Sequence, residues 1–245
     1  MSTEAALMLI AVALYLYDAT LLLARNEAVV FRGWGGRWYT GFGAHRWLLD
    51  GKEPYLPNPW LPHRGLWRLT WQWNDQPAPS RPATAQHTVT APHELAYLAA
   101  PLYLSALGLF VLLPLGLFSR LGLPMAALAI AVVYLANIVN LCVLFALRHR
   151  LHLPPKSFAR IAFECLACPP FALNLVRKVC AARRVDEDLM AAATRLLPPE
   201  RLTMTHCEGL LRLDEQIDFE PDGSARMALL QHARARFLPV VEEAV

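Results

Sequence analysis

Three long runs of apolar residues constrain this chain more than any other feature of its sequence. The first covers residues 5–24 and is broken only by Asp18 and Thr20. The second and third cover residues 95–118 and 124–147. An α-helix rises about 1.5 Å per residue, so about 20 apolar residues cross the roughly 30 Å hydrocarbon core of a bilayer. The runs therefore predict three transmembrane helices, of which the last two form an antiparallel hairpin.

The composition agrees with a membrane protein. Of the 245 residues, 56% are hydrophobic and 18% are charged, against about 25% charged residues in ordinary soluble domains. This balance excludes a disordered chain, a fibrous repeat and a nucleic-acid-binding tail. A cleaved signal peptide is the alternative for the first run. Residues 1–4 contain no Lys or Arg and the run is longer than a signal core, which favours a retained helix.

The distribution of basic residues predicts the orientation. Residues 25–93 contain eight Lys and Arg and residues 148–245 contain fourteen, whereas the N-terminus has none and the hairpin tip has only Arg120. Basic residues accumulate on the cytoplasmic side, so the N-terminus is expected outside and the C-terminus in the cytoplasm. The preference for Arg over Lys, with abundant Ala and Leu, is typical of a bacterial sequence. We therefore expect a multi-pass protein of the bacterial inner membrane.

Between the first two runs, the sequence predicts a small cytoplasmic β module. All seven Trp lie in residues 25–73. Trp67, Leu69, Trp71 and Trp73 alternate with Arg68, Thr70 and Gln72, which is the period of a strand with one covered face. Asp50-Gly51, between residues 46–49 and 52–56, favours a type I′ hairpin turn. Residues 74–93 are rich in Pro, Ala and Thr and predict a flexible linker.

The fold class expected from these patterns is an integral membrane protein, mainly α. It has three transmembrane helices, a small Trp-rich β module and a helical cytoplasmic C-terminal region at residues 148–245. Within that region, helices are expected from Asp186 to Leu197, around residues 202–213, and after a Ser224 cap. Basic residues dominate 148–185 and acidic residues dominate 186–223. Leu175, Val176 and Val179 share a helical face, which fits either an interfacial helix or a core helix.

The Trp cluster has two interpretations. Large rings can build the core of a module this small and rest at the headgroup level. Alternatively, aromatic and Arg side chains form a surface for a protein partner or a lipid headgroup. Residues 25–73 hold seven basic and three acidic residues, too small an excess to predict a nucleic-acid partner. The surface hypothesis involves Trp34, Arg37, Trp38, Trp47, Trp67, Trp71 and Trp73.

Polar residues inside the apolar runs predict an intramembrane cluster. Asp18, Tyr103 and Asn140 fall at similar depths in their three helices, and Asn137 lies one turn from Asn140. The favoured interpretation is interhelical hydrogen bonding that fixes packing. The alternative is a proton or substrate relay, for which one carboxylate among three helices is a poor basis.

The cysteines carry one further hypothesis. Cys165 and Cys168 are spaced as zinc ligands, and Cys180 with Cys207 or His206 can complete a set of four. The spacing lacks a second close pair. The default interpretation is therefore that these are small apolar side chains on a helix ended by Pro169-Pro170, with no cofactor and with all five cysteines reduced.

These features favour a non-catalytic accessory or assembly subunit that presents Trp-rich and helical surfaces to a protein partner or to a second copy, with membrane lipid as its other partner. The alternative is a membrane-surface enzyme or lipid-handling protein that uses the Arg and Trp face and a Cys-bound metal. A transport subunit built around Asp18 is the third hypothesis. The sequence contains no Ser/His/Asp set, carboxylate pair or nucleotide-binding loop that favours catalysis.

Overall fold

The computed structural model describes residues 2–45, 47–71, 89–90, 93–183, 185, 187–221 and 223–242, with the side chains of Trp34 and residues 236–242 left aside. The described chain is mostly helical with a small sheet part. It forms two units, each assembled from separate segments of the sequence. The first unit comprises residues 1–21, 56–65 and 90–183, and the second comprises 22–55, 66–89 and 184–245.

The first unit contains the apolar helices. α1 covers Thr3–Ala19, with Ser2 as its N-cap. The next helical segment begins as a 3-10 helix at His93–Leu98 and continues through α2 (Ala99–Leu107), a π-helical turn (Gly108–Leu112) and α3 (Leu113–Phe118). α4 covers Gly122–Leu147. Two segments, His93–Phe118 and Gly122–Leu147, are long and apolar enough to cross a membrane, each with 26 residues.

The apolar hairpin packs closely because small residues line its interface. A Cβ added to Gly116 would lie 2.5 Å from the backbone nitrogen of Ala126. Gly108 likewise faces Val133 of α4. Such contacts let two helical backbones approach each other, as is common between helices in membranes. They confirm that the second and third apolar runs form a hairpin.

Three shorter helices complete the first unit: α5 (Pro155–Ala167), α6 (Pro169–Ala172) and α7 (Leu175–Ala182). Cys168 ends α5, as expected from the prolines that follow it. Leu175, Val176 and Val179 are buried, so α7 is a core helix of this unit, which was one of the two alternatives. Leu173 packs with Tyr15, Leu109 and Val133 in one core cluster.

The second unit contains two small sheets. β2 (Glu27–Arg32) pairs antiparallel with β3 (Trp38–Gly41) and with β5 (Leu66–Thr70) in the order β3-β2-β5. β1 (Leu21–Leu23) pairs with β4 (Glu53–Tyr55). Trp67, Leu69 and Trp71 are buried whereas Arg68 and Thr70 are exposed, which confirms the predicted alternation.

The Asp50-Gly51 turn has the expected geometry. Asp50 has φ 52° and Gly51 has φ 71°, the two positive values of a type I′ turn. Leu49 and Lys52 close it with a pair of backbone hydrogen bonds. The residues before this turn do not continue as a strand, since β4 pairs with β1 instead. The predicted turn is thus confirmed, while the predicted hairpin strands are limited to one bridge.

Three helices belong to the second unit: α8 (Leu189–Leu196), α9 (Pro199–Phe219) and α10 (Ala225–Glu242). Asp188 caps α8 by accepting from the backbone of Met190 and Ala191. Ser224 accepts from the backbone nitrogen of Met227 at 3.0 Å, which confirms the predicted cap. α8 packs on β2 and α9 packs on β3.

One predicted helix boundary is wrong. The first apolar run was expected to be helical over residues 5–24, but α1 ends at Ala19 and Leu21–Leu23 is strand β1. Pairing with β4 supplies backbone hydrogen bonds to this segment, and the Leu23 side chain is fully buried. The C-terminal region 148–245 is mainly helical and is divided between the two units, with 148–183 in the first and 184–245 in the second. Residues 72–88 and 91–92 of the expected strand end and linker lie outside the described residues.

Candidate functional site

A group of hydrogen-bonded polar side chains in the first unit lies where α1 ends. Asp18 is in the last turn of α1. The Lys178 ammonium donates to Asp18 at 2.7 Å and to Glu164 of α5 at 2.5 Å. Asn174 donates to the second carboxylate oxygen of Asp18 at 3.0 Å. One α7 lysine therefore holds carboxylates from two other helices, and we call these four residues the Asp18 network.

Arg177 connects this network to the loop at residues 56–65. Its guanidinium donates to the Asn174 side-chain oxygen at 2.8 Å and to the Asn58 carbonyl at 2.7 Å. The Tyr15 hydroxyl donates to the Pro59 carbonyl at 2.6 Å. Asn174, Arg177 and Lys178 are three and four residues apart, so they share one helical face. The local sequence of α7 thus places three donors toward α1 and the loop.

The charge state of Lys178 limits the chemistry of this network. Burial lowers the pKa of Lys178, but hydrogen bonds to Asp18 and Glu164 outweigh burial and raise that pKa above its ordinary value. The amine is therefore protonated at neutral pH and has no free lone pair for base or nucleophilic catalysis. A protonated Lys178 shared by two carboxylates suits a packing role.

Burial also disfavours the thiolate forms of the neighbouring cysteines. Burial raises the pKa of the Cys165 thiol to about 12. Burial likewise raises the pKa of Cys168. Because the thiolate is the nucleophile and the metal ligand, neither side chain is activated. Within the described ranges, no group of three or more His, Cys, Asp or Glu could hold a metal ion. Of the predicted set, Cys165, Cys168 and Cys180 belong to the first unit and Cys207 belongs to the second.

The predicted intramembrane cluster is not formed either. Asp18 bonds to α7, while the Tyr103 hydroxyl lies 2.9 Å from His63 Nδ1. Ser105 donates to Asn137 at 2.8 Å. Asn140 is buried, and neither of its amide atoms has a hydrogen-bond partner in the described part of the chain. The four polar residues were expected to share one network because they share a depth, but the α7 donors and the loop occupy the space beside Asp18 and Tyr103.

The Trp cluster divides into core and surface. Trp67 and Trp71 are buried in the second unit. Their predicted place in a binding surface is therefore wrong, and they fit the core interpretation. Trp38 is half-buried and packs on Trp67, with ring centroids 5.7 Å apart. Arg37 and Trp47 are exposed, and Trp47 is 73% exposed. Trp73 and the Trp34 side chain lie outside the described residues.

Sequence reasoning missed a second polar centre, in the second unit. Arg212 of α9 is 1% exposed. Its guanidinium donates to Glu53 at 3.1 Å and to the Gly43 carbonyl at 3.0 Å, and pairs with Glu208. It also lies over the Phe42 ring at 4.6 Å. Glu53 is 159 residues away along the chain, and no local pattern marks such a pair.

His63 gives the first unit a measurable pH response. Burial, with the charge of Arg64, lowers the pKa of His63 below its ordinary 6.5. The folded state therefore favours the neutral ring, and its stabilising contribution is present above pH 6.5 and falls as the pH drops below that value. We expect the melting temperature to decrease on acidification more in the native chain than in His63→Gln.

The measurement follows reaction of a fluorogenic maleimide with Cys165 and Cys180, which are buried in the first unit. Cys142, Cys168 and Cys207 are replaced by Ser, so that labelling reports unfolding of this unit. The exposed His232→Gln serves as the control. Equal acid sensitivity of the native chain and His63→Gln contradicts the prediction.

Comparison with known proteins gives no assignment. The chain matches no family model, no curated protein and no solved structure.

Proposed function

We propose that the protein is an integral protein of the bacterial inner membrane that acts as a non-catalytic accessory or assembly subunit. It has three spans, with the N-terminus outside, and presents surfaces of the second unit to a protein partner in the cytoplasm. The observation that carries this proposal is a run of consecutive exposed apolar residues, Trp47, Leu48 and Leu49, at the type I′ turn. Contiguous exposed apolar residues are typical of interaction sites.

Membrane insertion is supported by the exposure of the apolar helices. In their most apolar windows, only 28% of residues in His93–Phe118 and 33% in Gly122–Leu147 are buried. A core helix of a soluble protein is mostly buried, so these helices need an apolar surrounding. Apolar side chains are exposed on several sides of α2 to α4, among them Leu104, Val111, Leu128, Leu135 and Ile138.

The remaining span of the proposal is α1, the first helix of the chain, which is about 26 Å long at 1.5 Å per residue. It packs against α3 and α6, and the Tyr15 ring lies 5.8 Å from Phe110. Leu7, Leu9 and Ile10 of α1 are exposed. Four Trp and Tyr side chains of the first unit are more than 40% exposed, as is usual at a membrane surface: Tyr17, Trp60, Tyr97 and Tyr103.

The proposed partner surface includes a stripe on α9. Met204, Cys207 and Leu211 are all exposed, and spacings of three and four residues place them on one face. Glu200 and Asp218 are exposed near either end of this stripe. An apolar stripe flanked by acidic residues suits an amphipathic partner helix with basic flanks. The turn and the stripe together provide the Trp-rich and helical surfaces of the proposed subunit.

Site-specific photocrosslinking in cells tests this proposal. A photoreactive residue in place of Trp47 is expected to give one dominant adduct, whereas the same residue in place of the exposed Gln231 of α10 is not. Leu48→Glu with Leu49→Glu should abolish the adduct without releasing the protein from carbonate-washed membranes. An adduct of twice the chain mass identifies a second copy as the partner. Equal labelling from positions 47 and 231 contradicts a partner surface at the turn.

A further inference from the structure

Helix α5 returns along α4 toward the middle of the apolar hairpin. Seven residues, 148–154, separate the two helices. The Phe158 ring of α5 lies 5.6 Å from Phe145 near the end of α4. Leu173, after α6, packs with Val133. Val133 and Phe145 are about 18 Å apart along α4. The chain from Phe158 to Leu173, which includes most of α5 and all of α6, therefore runs back beside α4 from its end toward its middle.

The exposed face of α5 changes character along this path. Lys156 and Arg160 are exposed near its start. Phe163 is 74% exposed and Leu166 is also exposed near its end. Lys156, Arg160 and Phe163 are separated by four and three residues, so they share one face. The cationic end of this face is level with the end of α4, and its apolar end points toward the level of Val133.

Further cations lie beside the start of α5. The Arg148 guanidinium lies 4.4 Å from the centroid of the exposed Phe145 ring, and Arg150 is exposed. Residues 148–163 contain four Lys and Arg and no Asp or Glu. The first acidic residue is Glu164, which lies 3.9 Å from Arg160 and also binds Lys178. The region therefore keeps a net positive charge.

We propose that α5 enters the cytoplasmic leaflet with its apolar end among the acyl chains and that Arg148, Lys156 and Arg160 each attract headgroup phosphates of anionic phospholipids. The polarity of the helix face matches that of a leaflet in both order and direction. Long basic side chains reach the headgroups while their neighbours stay in hydrocarbon. Juxtamembrane cations attract anionic lipids. This inference rests on the proposed function, since it requires the apolar helices to span a bilayer.

Lipid retention by the purified full-length protein tests this site. The protein in a mild non-ionic detergent is mixed with equal amounts of phosphatidylglycerol and phosphatidylcholine, and bound lipids are counted by native mass spectrometry. The native chain should retain phosphatidylglycerol in preference. The ratio of bound phosphatidylglycerol to bound phosphatidylcholine should fall about fivefold in Lys156→Gln. Adding Arg148→Gln and then Arg160→Gln should lower this ratio by about the same factor at each step.

Matched variants separate charge from general lipid contact. Arg68→Gln, Lys52→Gln and Arg226→Gln remove three exposed cations of the second unit and should leave the preference unchanged. Phe163→Ser with Leu166→Ser should reduce retention of both lipids equally. Loss of the preference in the second-unit triple variant overturns the assignment of the site to α5.

The source of the phosphate is tested by competition. The chloride buffer is replaced by inorganic phosphate at the same ionic strength, which should not displace phosphatidylglycerol. Displacement overturns a lipid site in favour of a free-phosphate site. Equal retention of both lipids by the native chain, in a protein that resists carbonate extraction, overturns this inference alone. Extraction of the native chain by carbonate overturns the proposed membrane function itself.

Discussion

Replacing Arg212 by Met is expected to unfold the second unit at markedly lower denaturant concentration. The substitution leaves Glu53, which is 2% exposed, as a buried carboxylate without its arginine, with His45 Nδ1 at 4.0 Å as its remaining basic neighbour. Removing one partner of a buried ion pair costs about 3–5 kcal/mol, because the remaining charge is neither solvated nor compensated. The Gly43 carbonyl and the Phe42 ring lose their contacts with the same guanidinium.

Tryptophan fluorescence in detergent measures this loss, since Trp67 and Trp71 are buried in the second unit. Arg226→Met is the matched control. Arg226 is exposed and pairs with Glu220, and such surface ion pairs contribute about 0–1 kcal/mol to the free energy of unfolding. Adding Glu53→Met to Arg212→Met should recover part of the stability, since two apolar side chains remove the unpaired charge. The buried-pair interpretation is contradicted if Arg212→Met and Arg226→Met unfold at the same denaturant midpoint.

The parts of the fold that were predicted correctly depend on local sequence. The Asp50-Gly51 turn needs only two residues with positive φ, and the alternation around Trp67 needs only neighbours along one strand. The apolar hairpin follows from two long runs with a short connection. Each of these patterns stays within one element, so a single sequence contains all the information that predicts it.

The errors occur where distant segments decide the structure. Leu21–Leu23 continues an apolar run and looks helical, but pairing with Glu53–Tyr55 makes it a strand. Tertiary context overrides the local preference there. Asp18 is the only charged residue in the three apolar runs, yet its partners lie 156 and 160 residues away. Depth in a membrane constrains which residues are level with one another, but not which helices are adjacent.

Replacing Lys178 by Met is the second large effect, and it tests whether the Asp18 network holds α1 in place. The variant leaves Asp18 and Glu164 facing each other without their shared cation. We expect a loss of about 3 kcal/mol, near the lower end for buried pairs, because Glu164 is about one-third exposed. For a chain of this length that loss lowers the melting temperature by about 6–12 °C.

Maleimide labelling of Cys165 and Cys180 again reports unfolding of the first unit, and Lys52→Met is the control because Lys52 is exposed in the second unit. The raised pKa of Lys178 means that its contribution is fully present below its ordinary value of 10.5 and is lost as the pH rises through the higher folded value. The difference between native chain and variant should therefore stay constant across neutral pH. Asp18→Asn together with Lys178→Met should melt above Lys178→Met alone, since one uncompensated carboxylate is gone. Equal melting of Lys178→Met and Lys52→Met would show that α1 is held by apolar packing around Tyr15, and would remove the only role that the geometry gives to the charge of Asp18.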